Sequence, residues 1–147
     1  MTRSDLLKFM RSHRYAVQSS VSPDGSPQSA VVGIAVSDDL SLFFDTLDST
    51  RKAQYLRQNP KIAFVIGGLK DGDERTVQYE GVADEPCGDE LDQLKKTYFM
   101  SFPDGAERQS WKEITYFRVR PRWIRYSDYN KNPPEIVEFD LAELNLQ

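Results

Sequence analysis

The stretch Phe43-Phe44-Asp45-Thr46-Leu47-Asp48-Ser49-Thr50-Arg51-Lys52-Ala53-Gln54-Tyr55-Leu56-Arg57-Gln58-Asn59-Pro60 decides how this chain is read. It begins as the end of a strand, turns through a short polar link, and continues as a helix from about Ser49 to Gln58 with Ala53 and Leu56 on the apolar side. Asn59-Pro60 stops that helix, because proline cannot extend the hydrogen-bond ladder and restricts the residue before it. A helix N-terminus presents unpaired backbone N–H groups and the positive end of its dipole. Ser49, Thr50, Arg51 and Lys52 add hydroxyls and two cations to that end, a combination suited to a phosphate dianion. Between Ser49 and Lys70 there is no Asp or Glu, whereas Arg51, Lys52, Arg57, Lys61 and Lys70 all fall there. Such a positive island fits one small anion. A capped surface helix with solvated charges has the same composition, so the surroundings must discriminate.

Working outward, Thr2 or Ser4 can cap a first helix with Leu6, Phe9 and Met10 on one face. Arg14 to Val21 reads as a strand, and Ser22-Pro23-Asp24-Gly25 as a turn. A second strand is predicted from about Pro27 to Val36. Its run Ala30-Val31-Val32-Gly33-Ile34-Ala35-Val36 is apolar on both faces, which predicts a central strand covered on both sides. A third strand runs from Leu40 to Asp45. After the helix come strands over Lys61 to Gly67 and Arg75 to Ala83, a helix from Gly88 to Met100, a Pro103-Asp104-Gly105 loop, and a closing strand pair, Ile114 to Arg120 and Trp123 to Ser127. Tyr98, Phe99 and Phe102 read as core. The tail from Asn130 to Gln147 reads as surface-docked. The pattern predicts an α+β fold, a six- to seven-stranded antiparallel split β-barrel with peripheral helices, forming one domain over residues 1–147.

Composition narrows function. Of 147 residues, 39% are hydrophobic and 29% charged, which is ordinary for a folded protein. The net charge of −4 argues against a nucleic-acid partner, whose phosphates demand a basic face. The longest apolar run, Ile62 to Ile66, is far below the ~20 residues of a membrane helix. With no secretory signal behind Arg3, the cytoplasm is the expected location. One cysteine, Cys87, and one histidine, His13, exclude an intrachain disulfide, thiolate clusters and histidine-based metal sites. His13 is expected to be solvated at a helix end, and Cys87 to be a spectator at a loop-to-helix junction.

Arg14 to Ala83 resembles the split-barrel flavoproteins related to pyridoxamine 5′-phosphate oxidase, especially the small general-stress-protein branch. The matching elements are the aromatic strand ending in Thr46, the Ser/Thr-Arg-Lys helix entry at 49–52, Asn59-Pro60 with its apolar strand, and Gly81 within Tyr79-Glu80-Gly81-Val82-Ala83. Tyr116-Phe117-Arg118-Val119 with Ile124-Arg125-Tyr126 resembles the closing strands. The resemblance implies a homodimer with FMN at its interface and a small-molecule substrate. It implies that Arg51 and Lys52 hold the FMN phosphate with Thr46, Ser49 and Thr50 as donors. It also implies that Ala30, Val31, Val32 and Gly33 run along the isoalloxazine ring, and Trp123 or Tyr126 stands close enough in sequence to replace the family's flavin-side tryptophan.

The chain also departs from that pattern. The Arg-x-His substrate pair of true pyridoxamine phosphate oxidases has no match. The family glutamine against the flavin aligns with Thr76, the flavin-side tryptophan near Ser127, and the tyrosine before the threonine is Asp45. These departures argue against vitamin B6 oxidation and leave the catalytic residues unassigned. The expected function is therefore a flavin-dependent oxidoreductase of an unidentified small molecule. Deazaflavin-dependent reductases of the same fold and non-catalytic flavin binders remain alternatives; a heme-holding relative would need a histidine better placed than His13.

Overall fold

The computed structural model describes residues 1–140. Helix α1 (Arg3–Arg11) opens with a capping box: the Asp5 N–H donates to Thr2 Oγ1 at 3.1 Å, and the Thr2 N–H to Asp5 Oδ2 at 2.9 Å. It buries Leu6, Phe9 and Met10, the expected face. Strands β1 (Tyr15–Val21) and β2 (Pro27–Gly33) form a hairpin across the predicted turn. They are followed by the two-residue β3 (Ala35–Val36), β4 (Leu42–Leu47), helix α2 (Arg51–Gln58), β5 (Lys61–Gly67) and β6 (Arg75–Asp84). Helices α3 (Gly88–Ser101) and α4 (Pro103–Arg108), then β7 (Ile114–Asp128) and β8 (Glu135–Phe139), complete the described chain.

All pairings between these strands are antiparallel, and they form one sheet in the order β2-β1-β5-β6-β7-β4-β3, with β8 on β7. The sheet curls into a half-barrel, so the α+β split-barrel class stands, with eight strands instead of six or seven. The expected closing pair is one continuous strand, β7, whose register against β6 shifts between Glu80 and Gly81. At that shift a Cβ on Gly81 would stand 2.5 Å from the Arg120 carbonyl oxygen, so only glycine lets the two backbones approach. Of the predicted surface-docked tail, Glu135–Phe139 form β8, which pairs with β7, while residues 141–147 lie outside the described residues; Pro103 starts a short helix where a loop was expected.

The second strand needs the largest correction. It ends at Gly33, lies at the sheet edge, and is mostly exposed or half-buried, so it is not a central strand covered on both sides. Ala35 and Val36 cross to the opposite end of the sheet order and pair with β4. The apolar run did not secure cover on both faces, because long-range pairing sets sheet position and here leaves β2 at the edge with Val31 exposed.

Two apolar clusters hold the fold. Inside the curl, Phe44, Phe64, Ile66, Val77, Tyr79, Phe117, Val119 and Ile124 pack with the α1 face and with Ala53 and Leu56 of α2. The Tyr79 hydroxyl donates to the carbonyls of Leu40 (2.9 Å) and Val119 (3.1 Å), satisfying it in the core. On the other side of β4, Ala35, Phe43 and Tyr116 pack against Tyr98 and Phe102. The Phe43-Phe44 doublet is buried whole because successive strand residues face opposite clusters.

Candidate functional site

Strand β4 delivers Thr46 to the inner rim of the curl, and the link after it places Thr50 as the N-cap of α2. Thr50 Oγ1 donates to the Leu47 carbonyl at 2.7 Å, accepts from the Ala53 N–H at 3.4 Å, and lies 3.1 Å from Thr46 Oγ1. The two threonines therefore fix the helix entry. Arg51 and Lys52 follow on the first turn. Among the described residues neither has an ion pair or side-chain hydrogen bond. Lys52 is half-buried, and burial pushes its ammonium below the usual lysine range with no carboxylate to oppose the shift.

The rest of the positive island disperses. Arg57 is drawn to Asp48 and, through two hydrogen bonds of 3.1 and 2.8 Å, to Glu85. Lys61 lines a groove on the outer sheet face, and Lys70 lies beyond β5. What remains at the helix mouth is the Arg51–Lys52 pair. Arg51 and Tyr55 line a cleft of about 410 Å³ with the β1–β2 turn, Ser22 to Gln28. Asp24 in that turn is occupied locally: it accepts from Ser22 Oγ and from the Ser26 N–H (3.1 Å), which hold its carboxyl below the usual range.

Ala30 to Gly33 lie on the edge strand. The Ile34 N–H donates to the Arg14 carbonyl at 2.9 Å, which makes Arg14 and Ile34 a hydrogen-bonded antiparallel pair in the β1–β2 register. Alternation then turns the backbone N–H and C=O of Ser29, Val31 and Gly33 away from β1, toward the open edge. Across from Ala30 sits Gln18, fully buried, with neither side-chain amide atom partnered. Ser20 Oγ and Gln28 Nε2 are likewise buried and unpartnered, on the same two strands beside α2. Such groups recover their desolvation cost only from a polar guest or water. The sequence signal for them was the alternation Ala16, Gln18, Ser20, which aims two polar side chains inward.

Trp123 stands apart from the other predicted residues. It pairs with Glu80 on the outer face, four strand spacings from β2, about 19 Å along the sheet. Within one chain it shares no cleft with Arg51. Thr76 and Ser127, the positions that lack the family's glutamine and tryptophan, are direct cross-strand partners. Asp45 accepts from the Tyr98 hydroxyl at 2.9 Å and from Arg108 Nε at 3.0 Å, tying β4 to α3 and α4.

His13 differs from its expected solvated state. Its Nδ1 lies 2.9 Å from the Phe9 carbonyl, its ring packs on Phe9 at 4.7 Å, and the residue is half-buried. Cys87 is exposed at the start of α3 as expected, and Trp111 is exposed on the surface. Among the described residues no group of His, Cys, Asp or Glu is arranged to hold a metal, and no helix is long and apolar enough to cross a membrane.

Comparisons with known proteins agree with this geometry. A pyridoxine/pyridoxamine 5′-phosphate oxidase of Bordetella avium is 29% identical over 124 residues; the match covers 78% of this chain and 56% of that protein. The fold is shared with a heme binding protein from Mycobacterium smegmatis at a TM-score of 0.83 and 13% identity, covering 99% of this chain and 61% of the other. It is shared also with a pyridoxamine 5′-phosphate oxidase-related, FMN binding protein from Nostoc punctiforme at a TM-score of 0.70 and 16% identity, covering 93% and 87%. The profile of the pyridoxamine 5′-phosphate oxidase family matches residues 3–128, from α1 through the end of β7, and the chain belongs to that family.

Proposed function

We propose that this protein binds FMN between two copies of the chain and uses it to oxidise or reduce a small molecule other than a B6 vitamer. The observation that carries this reading is the Arg51–Lys52 pair at the mouth of α2, one cation half-buried and neither matched by a carboxylate. A phosphate dianion neutralises both, with arginine supplying a planar fork and lysine a point charge. The unpaired backbone groups of Val31 and Gly33 suit the polar edge of a flat ring, and the buried amide of Gln18 lies across from Ala30 on the other strand. FMN, when bound, supplies the redox chemistry, and the chain supplies its position and electrostatics.

The outer sheet face supports the dimer. Val31, Val17 and Val65 form a cross-strand row, with Val31 64% and Val65 43% exposed, and Tyr15 beyond them is 55% exposed. A largely apolar groove of about 490 Å³ opens beside that row. An exposed apolar row of this kind marks an interaction surface. A partner seated there offers the one route by which Trp123, remote within its own chain, meets a flavin.

The absorbance of the purified protein tests the reading. Bands near about 370 and 450 nm identify flavin, and a single band near about 420 nm identifies deazaflavin, which shares the cationic contacts. Replacing Arg51 and Lys52 together with Ala removes the bound chromophore and leaves the circular dichroism unchanged. Retention of stoichiometric FMN by that variant overturns the phosphate assignment. Steady-state NAD(P)H consumption separates a reductase from a flavin carrier.

A further inference from the structure

At the opposite end of β1 from the Arg51 cleft, His13 lines a second cleft of about 440 Å³ with Tyr15, Gly67, Gly68, Lys70, Asp73 and Arg75. The two clefts are separated by the length of β1, about 20 Å. The imidazole is set in one tautomer. Its Nδ1 faces the Phe9 carbonyl at 2.9 Å, an acceptor only, so Nδ1 carries the proton. Ser12 Oγ donates to that same carbonyl at 2.6 Å and lies 3.1 Å from Nδ1, so it adds a second acceptor for the Nδ1 proton. Nε2 is thereby left free, and it points toward Gly67: a Cβ built there would lie 3.4 Å from it. Gly67 and Gly68 both adopt positive φ (83° and 80°), which keeps side chains out of the cleft wall.

The charges around Nε2 favour an anion. Asp73 is neutralised by Arg75 through two hydrogen bonds of 2.7 Å, which hold its carboxyl down at about 2. Arg75 keeps one terminal nitrogen outside that pair, and its guanidinium lies over the Phe9 ring at 5.1 Å. Lys70 has no ion pair among the described residues. On the other flank, Arg11 bonds the Val36 carbonyl and Asp38, and Arg14 bonds the Ser101 carbonyl. Asp128, the cross-strand partner of Arg75, also acts on its guanidinium while accepting from the Asn130 N–H; after pairing, the groups facing the cleft are Lys70, the spare Arg75 nitrogen, the Tyr15 ring and His13 Nε2.

We infer that this cleft is an oxyanion-binding site for a small molecule carrying a carboxylate or phosphate group. Lys70 and Arg75 supply the charge, and His13, by taking up a proton from solvent at Nε2, donates a hydrogen bond from that nitrogen to the bound oxyanion. Neither role depends on flavin.

Because His13 is the only histidine of this chain, its ring nitrogens can be read directly by NMR of the chain as purified. In the neutral imidazole the expected spectrum shows Nδ1 protonated and Nε2 free; the opposite tautomer overturns the assignment. Titration with inorganic phosphate and, separately, with acetate follows the imidazole while Asp73, Arg75, Asp128, Tyr126, Lys70, Tyr15, Arg11 and Arg14 set its field. A saturable response that also raises the imidazole titration midpoint supports the site, and the stronger of the two arms names the headgroup. Lys70→Ala is expected to weaken that response about fivefold. The response should persist in the Arg51→Ala/Lys52→Ala variant, which separates it from the flavin phosphate position. Absence of a saturable response to either anion, or its loss only in the Arg51/Lys52 variant, overturns the proposal.

Discussion

The carboxylate of Asp45 accepts Arg108 Nε at 3.0 Å in a pair exposed only 11% and 18% at the two side chains. Its other oxygen takes the Tyr98 hydroxyl at 2.9 Å. Where the family resemblance leads one to expect a tyrosine, this chain thus holds the anchor that locks α3 and α4 against β4. Asp45→Ala leaves a phenol and a guanidinium without that acceptor, although Arg108 keeps Asp104. It is expected to cost about 3 kcal/mol, read as a lower urea midpoint at unchanged slope. A loss within error of zero shows that the helices dock without it.

Lys52 sets stability against binding. Its depressed titration means that the unfolded chain holds the proton more tightly, so the buried ammonium opposes folding at neutral pH and the penalty fades as pH rises through the lysine range. Lys52→Met should therefore raise the stability of the cofactor-free protein by about 0.5–1 kcal/mol and weaken FMN binding about tenfold or more. Thermal denaturation and flavin titration on the same sample give both numbers. A variant that is less stable without FMN contradicts the account of Lys52.

Gly33 leaves room for an aromatic ring. A Cβ there would stand 2.6 Å from Phe102 Cζ, and that ring is stacked on Tyr98 at 4.9 Å with the Arg14 guanidinium 4.8 Å above it. Gly33→Ala should displace Phe102 at a cost of about 1–3 kcal/mol, with a change in near-ultraviolet circular dichroism from the coupled rings. Unchanged spectra and stability count against this contact.

Acid should weaken the protein through two carboxylates. Glu85 is held below its ordinary range by Arg57 first and Thr115 second, and Asp73 is held at about 2 by Arg75. Both folded values are depressed, so their contribution is complete above the ordinary carboxylate range and is lost as pH falls from about 4.5 toward 2. Urea midpoints measured across that window should decline, and Arg57→Ala should flatten part of the decline. An identical acid slope in that variant removes Glu85 from the explanation.

The apolar row on the outer face is testable without the cofactor. Val31→Lys with Val65→Lys places two cations on exposed positions, so the fold should tolerate them while a dimer seated on that face should not form. Sedimentation is expected to show the wild-type chain as a dimer and the variant as a folded monomer. A variant that stays dimeric moves the interface elsewhere.

Local chemistry alone placed most of the elements. The Thr2 cap, the Ser22–Gly25 turn, the Thr50 entry to α2 and the Asn59-Pro60 stop each act over a few residues, and each was legible from spacing and side-chain type. The Arg51–Lys52 pair was legible for the same reason. The sheet's neighbours were not. That β2 is an edge strand follows from β1 pairing onward with β5 rather than from anything in β2. That Arg57 leaves the positive island follows from Glu85, twenty-eight residues away, reaching it. The apolar run at 30–36 predicted cover on both sides, but tertiary structure split it between opposite ends of the sheet and left Val31 on the edge strand 64% exposed. It decided also that the His13 ring, held locally by the Phe9 carbonyl four residues earlier, would lie beside the Gly67–Gly68 pair. Short-range patterns encode which groups a segment carries, and only long-range pairing determines which other groups they face.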